Sequence, residues 1–244
     1  MNFQEVKKLF KDEINMGLYV PLSEKIEIDL MYAIYEKEKM ILISGEAGNG
    51  KSFLMRKIYE NLLSKNKEFK IYFISNPFEE GDVIDELFLL NFDEQVVVFI
   101  DEAQTLSDEK IERLRMLADN RKYTIILATH EKEAKKIFSK QHFQTRINHF
   151  INLQPLKIDK LELFINSKLI QNEAYNVASL FNKSTYKLIY KLSGGNLRKT
   201  NQLLYKAFDI ISYFYDKYPN KVSSNKIDNK YIEMADMDLK GLNA

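Results

Sequence analysis

The hydrophobic and polar positions of the chain fall into two regimes. Between residues 40 and 153, short uninterrupted apolar runs alternate with stretches where apolar residues recur every three or four positions. The runs are Met40-Ile41-Leu42-Ile43, Ile71-Tyr72-Phe73-Ile74, Val96 to Ile100, Thr124 to Ala128 and Phe150 to Leu153. Runs this continuous predict strands covered on both faces, hence a parallel sheet. The stretches between them predict the covering helices. Phe53 to Leu63 is one, and Thr105-Leu106-Ser107 opens another with Ile111, Leu114, Leu117 and Ala118 on one side. The expected fold class is α/β, with a doubly wound five-stranded parallel sheet ending near Leu153.

Outside this region the period is helical only. Residues 1–20 carry Phe3, Val6, Leu9 and Phe10 at helical spacing, then a break near Gly17 and Pro21. Ser23 to Lys37, with Ile26, Leu30, Ala33 and Ile34 on one face, reads as a helix leading to the first strand. Gln154-Pro155-Leu156 reads as a hinge. Beyond it, Asp159 with Glu162 suggests a capping-box start for a helix through Leu161, Phe164, Ile165 and Leu169. Ser184 to Leu192 predicts a second helix, and Asn196 caps a long third one running towards Tyr215. Residues 219–244 are polar and read as a loosely held tail with one short helix. The expected domains are 1–155, a sheet domain with N-terminal helices; 156–217, a small all-α lid; and 218–244, a polar tail.

The candidate chemistry begins where the first strand ends. Gly45-Glu46-Ala47-Gly48-Asn49-Gly50-Lys51-Ser52 spells G-x-x-x-x-G-K-S between a strand and a helix. Glycines let backbone N–H groups turn inward around phosphate oxygens, and the new helix offers its positive end. Lys51 then reaches the β- and γ-phosphates, and the Ser52 hydroxyl binds Mg²⁺. The expected nucleotide-binding set is Gly45 to Ser52 with Phe53, and the expected cofactors are ATP and Mg²⁺.

A second pattern completes the first. Val96 to Ile100 runs into Asp101-Glu102 about fifty positions after Lys51. Parallel sheets present ligands at the carboxyl ends of their strands, which puts Asp101 beside the glycine loop as a Mg²⁺ ligand. Glu102 is the candidate to polarise the attacking water. Thr129 closes the next strand and can orient that water; His130 is the alternative, and an N-cap for the following helix is the bland reading. Arg146 precedes the last strand and can face a neighbour's nucleotide, or else make a surface salt bridge. Arg198, after Gly194-Gly195-Asn196-Leu197, can swing onto the γ-phosphate from the lid, or merely follow a capping turn.

Composition narrows the partners. Lys plus Arg number 36 and Asp plus Glu 35, a net charge of +1, so a broad basic face for duplex DNA is not advertised. A run of lid cations, Lys183, Lys187, Lys191, Arg198, Lys199 and Lys206, leaves a local patch open, although a solvated helix face explains much of it. The chain has no cysteine, so disulfides and thiol chemistry are excluded. His130, His142 and His149 have no zinc spacing. With no signal peptide or long apolar run, the expected location is cytoplasmic.

With these residues in place the sequence resembles the AAA+ ATPases, and among them the ExeA-type ATPases of general secretion and type IV pilus systems. The resemblance rests on Gly45–Ser52, Asn76-Pro77, Ile100-Asp101-Glu102-Ala103-Gln104, Leu106-Ser107 and Ile111 to Leu117. Gln144-Thr145-Arg146-Ile147, Leu153-Gln154-Pro155-Leu156 and Gly194 to Leu204 complete it, over roughly residues 30–210. Transposition helpers and archaeal-type replication initiators share much of the pattern. The resemblance implies a P-loop sheet of AAA+ type followed by a helical lid, and ATP hydrolysis. It also implies an ATP-dependent homo-oligomer, a ring being one arrangement, with Arg146 acting across the subunit boundary. The implied work is assembly of a secretion, pilus or DNA-uptake machine; a DNA-associated helper ATPase and a switch with little turnover are the alternatives. Three departures stand out. The segment Asn76 to Asp101 is short enough to lack a helix, and Thr129-His130 replaces the family's Gly-Gln. No transmembrane or cell-wall-binding part follows the lid, so an inner-membrane role is expected to come through a protein partner.

Overall fold

The computed structural model describes residues 2–11, 23–65, 68–80, 82–89, 94–120, 122–139 and 141–241. The break near Gly17 and Pro21 lies outside them. In chain order, the first elements are α1 (Phe3–Lys8), α2 (Glu24–Tyr35), β1 (Met40–Gly45), α3 (Lys51–Lys65), β2 (Phe69–Ile74), α4 (Asp82–Leu89) and β3 (Gln95–Ile100). Next come α5 (Asp108–Asp119), β4 (Tyr123–Thr129), α6 (Glu131–Ser139), α7 (Gln141–Gln144) and β5 (Ile147–Leu153). The last are α8 (Ile158–Gln171), α9 (Tyr175–Ala178), α10 (Lys183–Ser193), α11 (Leu197–Lys217) and α12 (Asn229–Gly241). They form two compact units, Ser23–Gln154 and Met1–Leu22 with Pro155–Ala244.

In the sheet unit all strands are parallel, in the order β2-β3-β4-β1-β5. Strand side chains alternate between faces, so the runs of β1 to β4 feed two cores, whereas the run Phe150 to Leu153 of the edge strand β5 buries one side only and leaves Phe150 exposed. Met40, Leu42, Val98, Ile100, Ile125 and Leu127 pack with residues of α4 and α5, including Ile84, Leu87 and Leu114. Ile41, Ile43, Val97, Phe99, Ile126 and Ala128 pack with α2 and α3 through Leu30, Ile34, Met55 and Ile58. This double burial is why the strands read as continuous apolar runs. The segment before β3 does not lack a helix: α4 lies there, with Ile84 and Leu87 buried and the Leu87 carbonyl accepting from the Tyr123 hydroxyl at 3.1 Å. Ser107 caps α5 through the Lys110 N–H at 3.3 Å, so Thr105 falls outside that helix, in a short 3-10 turn.

The helical unit departs from expectation at both of its outer parts. Helix α1, expected with the sheet, packs on α11 instead: Phe3, Val6 and Phe10 are buried with Phe208 and Leu161, and Lys7 pairs with Asp209 at 2.6 Å. Fully burying such a side chain stabilises by about 1.5–3 kcal/mol. Phe3 and Val6 within α1, with Phe10 just beyond it, hold a six-residue helix that would not persist alone. The expected loose tail is likewise part of the core. Tyr231, Ile232 and Ala235 of α12 are buried, and the Ile227 N–H donates to the Leu180 carbonyl. Three buried positions suffice to seat α12, which a polar overall composition conceals.

Helix α8 begins after Lys157 without a side-chain cap, so Asp159 and Glu162 make no capping box; Asp159 lies in the first turn, favourable to the helix dipole. Between α10 and α11, Gly195 sits at φ 78°, and a Cβ there would meet the Leu156 carbonyl oxygen at 2.0 Å. The Leu156 N–H donates to the Gly195 carbonyl at 2.9 Å. Only glycine permits that seating. Among the described residues, no helix is long and apolar enough to cross a membrane.

Candidate functional site

The strand order builds the site. Chain reversal after β1 sends β2 and β3 outward, and β4 then returns to lie between β3 and β1. Ser44 of β1 faces Thr129 of β4, and Ile100 of β3 faces Leu127. The loop after β1, the end of β4 and the acids after β3 therefore stand side by side at the carboxyl edge, where parallel sheets bind ligands.

The glycine loop is fixed from beneath. Gly45 pairs with Leu153 at the end of β5, and a Cβ on Gly45 would lie 2.6 Å from the Leu153 carbonyl oxygen. That same oxygen accepts from Asn49 Nδ2 at 2.8 Å, so one carbonyl anchors both ends of the loop's curve. Gly48 and Gly50 adopt φ 84° and 93°, which the wrap around an anion requires. Lys51, only 5% exposed, donates from Nζ to the carbonyls of Gly45 at 2.8 Å and Glu46 at 3.3 Å. Its first helical turn carries no acid, leaving the positive end of α3 to an external anion.

Asp101 is buried beside this loop. Burial pushes its carboxyl above the ordinary value, while hydrogen bonds from the Ser52 hydroxyl and the Glu102 N–H, at 2.9 Å, oppose that rise. A hydroxyl on a desolvated carboxylate is an oxygen donor set of the kind Mg²⁺ takes. The residues fit the ion: Ser52 and Asp101 would hold it. Thr129 is fully buried, and its Oγ1 has no hydrogen-bond partner. A buried hydroxyl left unpaired is costly, and its position between the loop and Asp101 gives it a reason to exist.

Glu102 occupies the left-handed region, φ 50° and ψ 39°, uncommon for a residue other than glycine. Its carbonyl accepts from both the N–H and the hydroxyl of Thr105, at 2.9 Å each, which holds the turn. Its carboxylate accepts from Gln104 Nε2 and lies 3.7 Å from His130 Nε2. No role is expected of Gln104 from the sequence. Its sequence trace is its place in the D-E-A-Q segment, two residues beyond Glu102.

The two arginines lie elsewhere. Arg146 precedes β5, whose first residue pairs with the first residue of β1, so it stands at the amino edge of the sheet. There its Nε and one terminal nitrogen each meet an Asp119 carboxylate oxygen at 2.8 Å. Asp119 also meets Arg115 at 3.1 Å and Lys39 at 3.7 Å, and Arg146 foremost holds its carboxyl below the usual range. A strand of six residues separates this edge from the loop by about 18 Å, so Arg146 cannot serve its own chain's nucleotide. Arg198 is exposed in the first turn of α11, whose N-cap Asn196 accepts from the Lys199 N–H at 3.0 Å; the cap forms as the sequence suggests.

Comparisons with known proteins agree with this architecture. The Orc1 protein of Aeropyrum pernix, solved in complex with DNA, matches with a TM-score of 0.68 at 11% identity, over 96% of this chain and 69% of its own. The Holliday junction branch migration motor RuvB of Thermotoga maritima matches with a TM-score of 0.62 at 18% identity, over 89% of this chain and 69% of its own. Domain III of the Thermotoga maritima replication initiation protein DnaA gives 0.58 at 15% identity, over 92% and 95%. At such identities the likeness speaks for the fold, the AAA+ type of P-loop NTPase. No curated protein sequence matches the chain. One family model does, that of novel STAND NTPase 5, over residues 20–141, half of the sequence and the part that carries the glycine loop, Asp101, Glu102 and Thr129. By that match this chain belongs to the novel STAND NTPase 5 family.

Proposed function

We propose that the protein binds Mg²⁺-ATP at the carboxyl edge of its sheet and hydrolyses it to ADP and phosphate. The observation that carries this reading is the convergence of Lys51, Ser52, Asp101, Glu102 and Thr129 on one sheet edge, with Thr129 in the middle. Lys51 exchanges the carbonyls of Gly45 and Glu46 for phosphate oxygens, and the N–H groups of Glu46 to Phe53 line the β-phosphate. Ser52 and Asp101 would hold Mg²⁺, which would neutralise phosphate charge as it develops. Thr129 orients the attacking water. Glu102 takes its proton as the oxygen bonds to the γ-phosphorus and ADP departs. Arg146 acts on a neighbouring subunit in a homo-oligomer, and Arg198 is the candidate to answer the γ-phosphate.

The work this turnover serves follows from the resemblance to ExeA-type ATPases: an accessory, cytoplasmic role in assembling a secretion, pilus or DNA-uptake machine, with a protein partner at the inner membrane. A second reading, a DNA-associated helper ATPase, is favoured by the fold likeness to an initiator solved on DNA. Steady-state ATP turnover across a protein concentration series, with and without duplex DNA and with Lys51→Ala as blank, separates them. Specific activity that rises with concentration and ignores DNA supports the assembly role. Strong stimulation by DNA moves the helper into first place, and no turnover anywhere leaves a nucleotide-gated switch.

A further inference from the structure

The near-neutral charge of the chain hides a segregation. Residues 174–208 hold six cations and no carboxylate, which leaves 30 cations against 35 carboxylates for the rest. Three of the six, Lys183, Lys187 and Lys191, lie four residues apart on α10, and all three are exposed. Four residues of helix advance about 6 Å, so they form a row of like charge about 12 Å long. Like charges at this spacing destabilise a helix unless something relieves them.

Nothing among the described residues of the unit does. Its paired carboxylates answer other cations: Asp209 to Lys7, Asp228 to Lys226 and Lys230, Asp236 to Lys240, Asp238 to Lys206. Among the described residues, Lys183, Lys187 and Lys191 make no ion pair. The first turn of α10 carries no acid either.

We propose that the exposed face of α10 binds the phosphate backbone of duplex nucleic acid. A row of point charges without an apolar anchor fits a repeating anion and not a protein hot spot, which needs buried aromatic or aliphatic anchors. A membrane surface fits poorly, because the apolar side of α10, Tyr186 and Ile189, is committed to the core and cannot insert. A single strand fits poorly too. Tyr186 is buried and Tyr190 half-buried, so α10 offers no exposed ring on which bases stack. Exposed Ser184, beside Lys183, accepts from Asn229 Nδ2 at 3.0 Å and keeps its own proton to donate to a phosphate oxygen. This surface stands apart from ATP turnover. DNA binding that persists without stimulating turnover removes the helper-ATPase reading alone, and loss of lysine dependence removes this surface alone.

The test is binding of a fluorescent 30-base-pair duplex to the full chain by anisotropy across a salt series, 30 being about two to three helical turns. Three phosphate contacts predict that Lys183/Lys187/Lys191→Ala makes the slope of log affinity against log salt shallower by about 2.7, while Lys→Arg at the same positions keeps it. If the triple variant does not fold, Lys187→Gln alone should lower the slope by about 0.9. Basal ATP turnover should be unchanged, since none of the three lysines belongs to the nucleotide site. An unchanged slope in the alanine variant overturns the proposal. So does lysine-dependent capture by phosphatidylserine-containing vesicles, or by poly-glutamate, without duplex binding.

Discussion

The two edges of the sheet handle charge in opposite ways. At the amino edge, Arg146, Arg115 and Lys39 surround Asp119, and the carboxyl sits below its ordinary range because every charge has an answer. At the carboxyl edge, Asp101 is desolvated and pushed upward, Lys51 leans on main-chain carbonyls, and the Thr129 hydroxyl has no partner. The same strands supply both. Within one chain, the amino edge pairs its own charges, and the carboxyl edge is left for a ligand that completes it. The difference identifies the site without appeal to any motif.

The sharpest way to break this contrast is Lys51→Ala. It should abolish Mg²⁺-ATP binding, seen as loss of the nucleotide-dependent rise in melting temperature, and reduce turnover to the blank. Retained nucleotide-linked stabilisation would mean the loop does not hold phosphate. Glu102→Gln comes next: turnover should fall by about 10²–10⁴ with ATP still bound, as for removal of a positioned proton acceptor. Equal loss of binding would show the residue to be structural. For Arg146→Ala, a fall of roughly 10³ is expected at high protein concentration, with ATP affinity intact. A loss that is the same at every dilution would refute action between subunits.

The smallest effects test the comparison most directly, because they should differ in sign. Without nucleotide, Asp101→Asn should raise the melting temperature and Asp119→Asn should lower it, the latter through a loss of at most about 1 kcal/mol of stability for an exposed ion-pair network. The pH dependence has the same logic. Asp101, with its folded value raised, favours the folded state below about pH 4 and withdraws that support as pH rises through the raised value. Asp119, with its value lowered, supports the fold above about pH 4 and loses that contribution as pH falls through the lowered value. Melting curves from pH 3 to pH 7 (about one unit below the carboxylate range to well above it) would expose a shared sign, and with it a wrong assignment of the two edges.

What sequence reasoning can see is local. Glycine spacing, the apolar runs and the acids after Ile100 each declare themselves within ten residues. The placement of β4 between β3 and β1, which makes Thr129 central, is a pairing decision that no single strand encodes. Helix α4 is easily overlooked because its eight residues span little more than two turns. The partner of α1 lies 202 residues away at the Lys7–Asp209 pair, beyond any periodicity window. Gln104 escapes because its contact with Glu102 depends on the left-handed turn, and nothing in D-E-A-Q announces that geometry.

The packing of α1 against α11 also dictates an order of events during synthesis. The sheet unit is a continuous stretch, Ser23–Gln154, and can close its two cores while the ribosome is still making α8 to α12. Helix α1 emerges before the sheet unit yet meets α11 only about 200 residues later, so Phe3, Val6 and Phe10 wait uncovered while those residues are made. At roughly 5–20 residues per second, that exposure lasts on the order of ten to forty seconds. The early helix is thus a substrate for holding chaperones by its timing alone, and slow codons downstream of residue 154 would lengthen the wait.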